Sequence, residues 1–349
     1  MLVAAESLKA HVRAILRSSG VPESDAATVA DCLVGADLDG MGTHGVSRLP
    51  FYCRRLKRGL IDPNPSLVVV SSRPATALLD AGNALGPVAG LRAMEMACEL
   101  ATAAGTGACA VRRSNHLGMV AWYVELGARR GLVALAFGNT PPAMAPPGGR
   151  TPLLGTNPLA AAFPTTGEPV VIDMATSLVA RGRIRKAQSA GEPIPEGWAV
   201  GPDGRPTTDA ELAMAGSLEP MGGAKGFALA LMVEALTGVL AGAGVGPGVT
   251  GTFADSDSPS DVGHLFLAFD PGAFAPGFPA RMELLAEAIR TGAAVSDTQP
   301  PRAPGDRRYA ERAHRLEAGI ELPVDLVGEL DGLAAETGAS SRLRPGGAG

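Results

Sequence analysis

A chain of 349 residues, 46% hydrophobic and 19% charged, is long enough to bury a sizeable core in two or three domains and has a globular rather than a disordered composition. The formal net charge of −5, with no basic block, argues against nucleic acid as a partner. Cys32, Cys53, Cys98 and Cys109 form no CxxC pair and no His/Cys/carboxylate group has ligand spacing, so buried reduced thiols and no metal centre are expected.

The opening stretch MLVAAESLKAHVRAILRSSG carries charge inside its apolar run. No secretory signal peptide is expected there, and with the thiols the compartment reads as cytoplasmic. Leu8, Val12, Ile15 and Leu16 share one helical face over 6–18, and SSG ends the pattern. A second helix fits 24–37 on Val29, Cys32, Leu33 and Ala36. A third runs to about 58 through Leu49, Tyr52, Cys53 and Leu56 until DPNP stops it. From 67 the character changes. SLVVVSS and ATALLDA read as strands, GPVAGLRAMEMACELATAAG as a helix, GACAVRR as a strand and GMVAWYVELGARRG as a helix; LVALAFGN, PLAAAFPT and PVVIDMA read as strands. Residues 224–241 are apolar on nearly all sides, which predicts a buried helix; it is too short for a membrane span and carries Glu234. HLFLAFDP is a late strand, and the tail from 279 is helical and Arg-rich around a PPRAPGDRR loop. The expected layout is a helical segment 1–66 packed with the tail 279–349, beside a central domain 67–278, in the α/β (α+β) class.

Four of the 30 basic residues are lysine, so a single arginine carries little information in this chain. Of the five histidines, His11, His264 and His314 read as surface or structural residues, whereas His44 and His116 stand where helices begin. Pro50 is tolerated only in a helix's first turn; with Ser47 as N-cap, Arg48, Leu49 and Pro50 form that turn. His44 then lies outside a helix N-terminus, where free N–H groups favour an anion, and Arg48 adds a forked carboxylate donor. A proton donor beside a carboxylate clamp suits reduction of a carbonyl or imine next to a carboxylate; a capped helix with an incidental histidine is the other reading. His116 follows a strand, with Ser114 or Asn115 as cap. The helix dipole would keep its imidazole neutral, fit to hydrogen-bond a substrate or a nicotinamide amide, or it is simply a polar cap residue. Asp173 closes the strand PVVID, at the end where ligands bind in open sheets, or caps the following helix. Lys225 in MGGAKG suits a phosphate, or is a solvated helix start. No strand is followed by GxGxxG, and GAGVGPG has Pro247 in place of the third glycine and follows a helix, so any dinucleotide is held without a Rossmann turn.

With these residues collected, the chain resembles the type 2 malate/L-lactate dehydrogenase family. These are non-Rossmann NAD(P)-dependent oxidoreductases that include malate, lactate, sulfolactate and ureidoglycolate dehydrogenases, diketogulonate reductase and the piperideine- and pyrroline-carboxylate reductases. The carriers run from about 5 to 335: THGVSRLP, RRSNHLG, LLGTNPLAAAFPT, VIDMATSLVARGRI, GEPIPEGWAVGPDGRPTTD, EPMGGAKGFALALMVEAL and APGDRR. The resemblance implies a mixed, largely antiparallel central sheet with an N-terminal helical layer, a homodimer, NAD(H) or NADP(H) as cofactor, and a small-molecule carboxylate substrate; a membrane has no part in it.

The family's proton-donating histidine falls on His44, supported by the hydroxyl of Thr43, and its carboxylate-binding arginine on Arg48. The block His116, Leu117, Gly118, Met119 and Val120 lines the nicotinamide, and in ureidoglycolate-type members that histidine is itself the acid/base. Thr156, Arg181 and Gly182 resemble substrate contacts. Asp173, Met174, Ala175, Lys225, Gly226, Pro304, Gly305, Asp306, Arg307 and Arg308 resemble cofactor contacts, with Arg307 and Arg308 in position for a 2′-phosphate. Cyclic-imine reductases carry an acid where this chain has Arg183, and HKG where it has Ala224-Lys225-Gly226; both departures favour a 2-oxo or 2-hydroxy acid. The expected activity is hydride transfer between the nicotinamide and C2 of such an acid. The alternatives are cyclic-imine reduction within the same fold and a non-catalytic binding member.

Overall fold

A computed structural model describes residues 1–251, 257–296 and 298–344. The chain begins with β1 (Leu2–Val3), α1 (Ala5–Ser18), α2 (Glu23–Leu38) and α3 (Leu49–Lys57). It continues through β2 (Val68–Arg73), β3 (Thr76–Asp80), α4 (Gly86–Ala104), β4 (Thr106–Ser114), α5 (Ala121–Arg129), β5 (Val133–Gly138), β6 (Leu159–Phe163) and β7 (Val170–Met174). Then come α6 (Arg181–Ala190), β8 (Ala199–Val200), α7 (Ala210–Ala215), β9 (Ser217–Leu218) and α8 (Ala224–Glu234). The described chain closes with β10 (Val262–Phe269), α9 (Phe278–Arg290), α10 (Asp306–Ala318), β11 (Ile320–Glu321) and α11 (Val324–Thr337).

Seven strands form one sheet in the order β2-β3-β4-β10-β5-β6-β7. Only β3 and β4 run parallel, joined by the crossover helix α4; every other neighbouring pair is antiparallel. The expected mixed, largely antiparallel sheet is therefore what the sequence folds into. One face is covered by α4 and α5, which bury Ala89, Ala93, Ala97, Tyr123 and Val124 against Ala134, Ala136 and Phe266 of the strands. Alanine at so many of these positions lets helix and sheet approach closely. A second core joins α1, α2 and α3 to Leu330 and Ala334 of α11 and to Leu343. The helix α9 packs elsewhere, placing Ala286 against Val170 of β7.

Three local expectations are corrected. The 224–241 segment is not a buried helix throughout: α8 ends at Glu234, a π-helical turn follows over Ala235–Val239, and only one side packs on the sheet. Leu231, Val239 and Leu240 are 53%, 66% and 64% exposed. Its all-round apolarity reflects an uncovered face, not burial. Ser47 does not cap α3. Its hydroxyl donates to the Gly42 carbonyl (2.7 Å), and α3 starts after two 3₁₀ turns with Pro50 in its first turn. His116 does not open a helix, because α5 begins only at Ala121.

Glu234, 2% exposed, is a hub beneath the sheet. It accepts from Asn157 (2.7 Å), from Asn139 (3.3 Å) and from the Gly246 N–H (2.7 Å), so its buried carboxylate is multiply satisfied. Asn157, which follows Thr156, also receives the Thr140 N–H at 3.1 Å, so the hub ties the turn at Thr140 to the one at Asn157.

Candidate active site

The turn that carries His44 is built on a buried acid. Asp37, 4% exposed near the end of α2, accepts the Val46 N–H at 2.8 Å. Burial pushes its carboxyl up to about 7, against that hydrogen bond and the charge of Arg315. A Cβ at position 45 would lie 2.0 Å from the Asp37 Oδ1, so only glycine passes there. Arg48 Nε donates to the Thr43 carbonyl at 2.6 Å and closes the turn. The Thr43 hydroxyl and the His44 Nδ1 are 3.1 Å apart. His44 is half-buried, and burial, then the charge of Arg48, lowers its pKa to about 4, so the ring is neutral at pH 7.

His116 stacks on His44, with centroids 5.9 Å apart and planes 11° from parallel. Its Nδ1 receives the Gly118 N–H at 3.2 Å and lies 2.9 Å from the Tyr52 hydroxyl. A backbone N–H only donates, so Nδ1 bears the lone pair, Tyr52 donates as well, and the proton sits on Nε2. Burial, then the charge of Arg48 and the neighbouring imidazoles of His44 and His264, drives the His116 pKa well down. The expected neutral imidazole is present, but burial rather than a helix dipole is its main cause. The α5 N-terminus is capped by Asp173, whose Oδ2 accepts the Ala121 N–H at 2.8 Å. Asp173 thus caps a helix 52 residues before it in sequence and not the following one; burial raises its carboxyl to about 6. Leu117, Met119 and Val120 are buried between these groups, Ala175 is half-buried and Met174 exposed.

Arg181 opens α6 and donates to the Met214 carbonyl at 3.1 Å. Beside it, a Cβ on Gly182 would lie 3.6 Å from the Thr43 Cγ2, so the first turn of α6 rests on the His44 turn. Thr43, His44, Arg48, His116 and Gly182 therefore meet, with Arg181 next to them in sequence. Thr156 is tied instead to the segment after β7: its carbonyl accepts both the N–H and the hydroxyl of Thr176 at 2.9 Å. The Thr176 carbonyl in turn accepts the Met221 N–H at 3.0 Å, which ties in the turn before α8. There Lys225 is exposed in the first helical turn, behind Gly222 and Gly223, while Gly226 packs on the Met221 carbonyl.

The 303–308 segment lies against β7, with the Val171 N–H donating to the Pro304 carbonyl at 3.0 Å and Gly305 beside it. Asp306 is gripped by Arg290 at 2.9 and 3.0 Å. The two arginines expected at a phosphate part company. Arg307 is exposed and lines a surface groove with Arg302 and Glu311. Arg308 instead pairs with Glu125 and lies 3.3 Å from Asp39, and Arg312 bonds both carboxylates. Although burial opposes ionisation, the two guanidiniums hold Glu125 down to about 2. This buried network pins α10 to α2 and α5.

Sequence reasoning missed Asp37 and the bond from Tyr52 to His116. Tyr52 was read only as part of an apolar face; a tyrosine among buried positions, whose hydroxyl needs a partner, was the available signal.

Residues 3–331 match the family model described as malate/L-lactate dehydrogenase. The chain is 45% identical to the (2R)-3-sulfolactate dehydrogenase (NADP(+)) of Chromohalobacter salexigens, over 91% of this chain and 93% of that protein. It is 36% identical to the Delta(1)-pyrroline-2-carboxylate reductase of Pseudomonas fluorescens, over 91% and 94%. The solved sulfolactate dehydrogenase of Methanocaldococcus jannaschii superposes with a TM-score of 0.90 at 38% identity, covering 97% of this chain and 98% of that one.

Proposed function

Since the chain belongs to the malate/L-lactate dehydrogenase family, a family of oxidoreductases, we propose that it moves a hydride between NAD(H) or NADP(H) and C2 of a small 2-oxo or 2-hydroxy acid, with His44 as the acid/base. The choice of His44 over His116 rests on one observation. The His116 Nδ1 is occupied by two donors, so that ring offers a fixed Nε2–H and has no low-cost route to a second proton. His44 lacks that constraint: Thr43 supports its Nδ1, and the imidazole accepts a proton in one direction and returns it in the other. Arg48 binds the substrate carboxylate, its plane set by the bond to the Thr43 carbonyl. His116 donates from Nε2 to the reacting oxygen or to the cofactor amide. Thr156, Arg181 and Gly182 complete the substrate side.

The chain's own groups fit a dinucleotide: an open Gly222–Gly223 turn with an exposed Lys225 behind it, and a neutral donor at His116. When bound, the nicotinamide supplies or takes up the hydride. His116 to Val120, Asp173 to Ala175, Lys225, Gly226 and Pro304 to Arg307 are the residues that would hold it. Arg308 is assigned to its ion pairs instead. Incubation with NADH or NADPH and a panel of 2-oxo acids and cyclic imines, followed at the nicotinamide absorbance, tests the reading. Turnover of the imines alone would overturn it, and cofactor binding without any turnover would make the chain a binding member.

Lys225→Ala is expected to weaken cofactor binding by about one to two orders of magnitude and to leave the KM of the acid nearly unchanged. A helix N-terminus contributes about 0.3 to 1 kcal/mol toward an anion and a charge-assisted hydrogen bond roughly 1.5 to 3 kcal/mol, so the ammonium dominates. Fluorescence titration with NADH and NADPH reads the change, which should shrink at high salt.

A homodimer is supported by the exposed apolar row of Leu231, Met232, Val239 and Leu240, too contiguous for a solvated helix face. Light scattering should give twice the 35.3 kDa chain mass. A cytoplasmic location accords with four buried free thiols. Among the described residues, no helix is long and apolar enough to cross a membrane.

A further inference from the structure

The apolar face of α3 carries one polar group. Leu49, Cys53 and Leu56 pack into the second core, and Tyr52 joins them, 1% exposed. Phenylalanine would fill the same space without the cost of desolvating a hydroxyl. That hydroxyl lies at the edge of the core, 2.9 Å from the His116 Nδ1 and 3.3 Å from the His116 carbonyl. The rings of Tyr52 and His116 are tilted by 54° with centroids 6.2 Å apart, so contact is made through the hydroxyl and not by stacking. His44 covers the face of the same imidazole. Burial, then Cys32, pushes the Tyr52 phenol well above the usual tyrosine range against the charge of Arg48, so it keeps its proton and remains a donor. Burial is also the first cause that keeps His116 neutral, but a neutral imidazole still has two tautomers and two ring flips. A flip would put the Cδ2–H where the Nδ1 lone pair now faces Tyr52. The Gly118 N–H, at 3.2 Å, favours the same state through a longer bond.

We propose that Tyr52 is a positioning residue for hydride transfer: its hydroxyl fixes both the flip and the tautomer of His116, so that Nε2–H is a permanent donor beside His44. Arg48 and Tyr52 stand four residues apart at the start of α3, so the segment that holds the substrate carboxylate also aims the second imidazole. The effect of Tyr52 passes through His116 alone. The inference rests on the acid/base reading given above.

Tyr52→Phe removes the hydroxyl and keeps the ring. With the fastest 2-oxo acid of the panel, it should cost about tenfold, the loss of one buried hydrogen bond. The loss should fall on kcat where Nε2 serves the reacting oxygen, or on the Kd of the cofactor where it serves the amide. The KM of the acid, set by Arg48, should stay within about twofold. In a His116→Ala background the hydroxyl keeps the carbonyl of residue 116 as a partner, and Tyr52→Phe should change neither kcat nor Kd. In an active enzyme, an equal loss in both backgrounds would make Tyr52 a support of the fold and overturn the inference, as would no loss in either. A second readout needs no turnover. Nitrogen NMR with labelled histidine identifies the His116 signals by their absence from His116→Ala. Wild type should show a protonated Nε2 and a bare, hydrogen-bonded Nδ1, unchanged between about pH 5 and 9. In Tyr52→Phe the Nδ1 signal should lose its hydrogen-bonded shift and the single tautomer should give way to a mixture. Unchanged His116 signals would overturn the inference and leave the dehydrogenase reading standing. Loss of the single tautomer, in a protein that turns over no 2-oxo acid, would uphold the hold of Tyr52 on His116 and overturn the dehydrogenase reading.

Discussion

Replacing His44 with alanine is expected to lower kcat by roughly 10²- to 10⁴-fold, the range set by loss of a positioned acid/base. Cofactor affinity should barely change if, as proposed, the ring serves the substrate and not the nicotinamide; its Nδ1 is supported by the Thr43 hydroxyl. The wild-type pH profile carries the same signature. With a pKa of about 4, His44 is the free base at neutral pH. For oxidation of the hydroxy acid, which needs the base, kcat/KM should be level above about pH 5 and fall below it. For reduction, which needs the imidazolium, kcat/KM should fall about tenfold per pH unit above the same pKa. A bound carboxylate cancels the charge of Arg48, one of the two causes of the depression, so the pKa seen in kcat should lie higher. Near-normal turnover of the alanine variant would move proton transfer to His116.

Arg48→Lys is expected to cost nearly as much as Arg48→Ala, about 10²-fold in kcat/KM for a carboxylate substrate, equivalent to about 3 kcal/mol. Lysine keeps the charge but has neither the planar fork nor the Nε–H that holds the Thr43 carbonyl at 2.6 Å. The two losses separate with an uncharged substrate. Pyruvamide has no carboxylate to clamp, so its reduction should register only the loosened turn. If pyruvamide and pyruvate lose equally, the arginine serves the turn and not the substrate.

The parts of this molecule that could be read from its sequence are those encoded locally. The periods of Ala5–Ser18 and Gly86–Ala104 lie within each segment, and both helices end within a residue or two of the expected points. His44 and Arg48 are four residues apart, so their spacing was visible as a proton donor beside a cation. What local patterns omit is the partner across the fold. Asp173 was read against the helix after it and caps one far upstream. Arg308 looked like a cation awaiting a phosphate, because nothing nearby in the sequence shows that Asp39 and Glu125 converge on it. The 224–241 segment misled for a related reason: an apolar surface facing the sheet and one facing outward have the same composition.

The place of β10 has a consequence for synthesis on the ribosome. This strand lies at the centre of the sheet, pairing with β4 on one side and β5 on the other, yet it is encoded about 120 residues after β5. Until it emerges, β4 and β5 cannot be bridged, and each presents an unpaired apolar edge to other chains. At roughly 5–20 residues per second that interval lasts about 6–24 s. The nascent chain therefore has no closed sheet for the middle third of its translation, and chaperone occupancy should peak there. A fragment ending before Val262 would keep every side chain expected at the substrate and would still lack the strand that joins the two halves of the sheet.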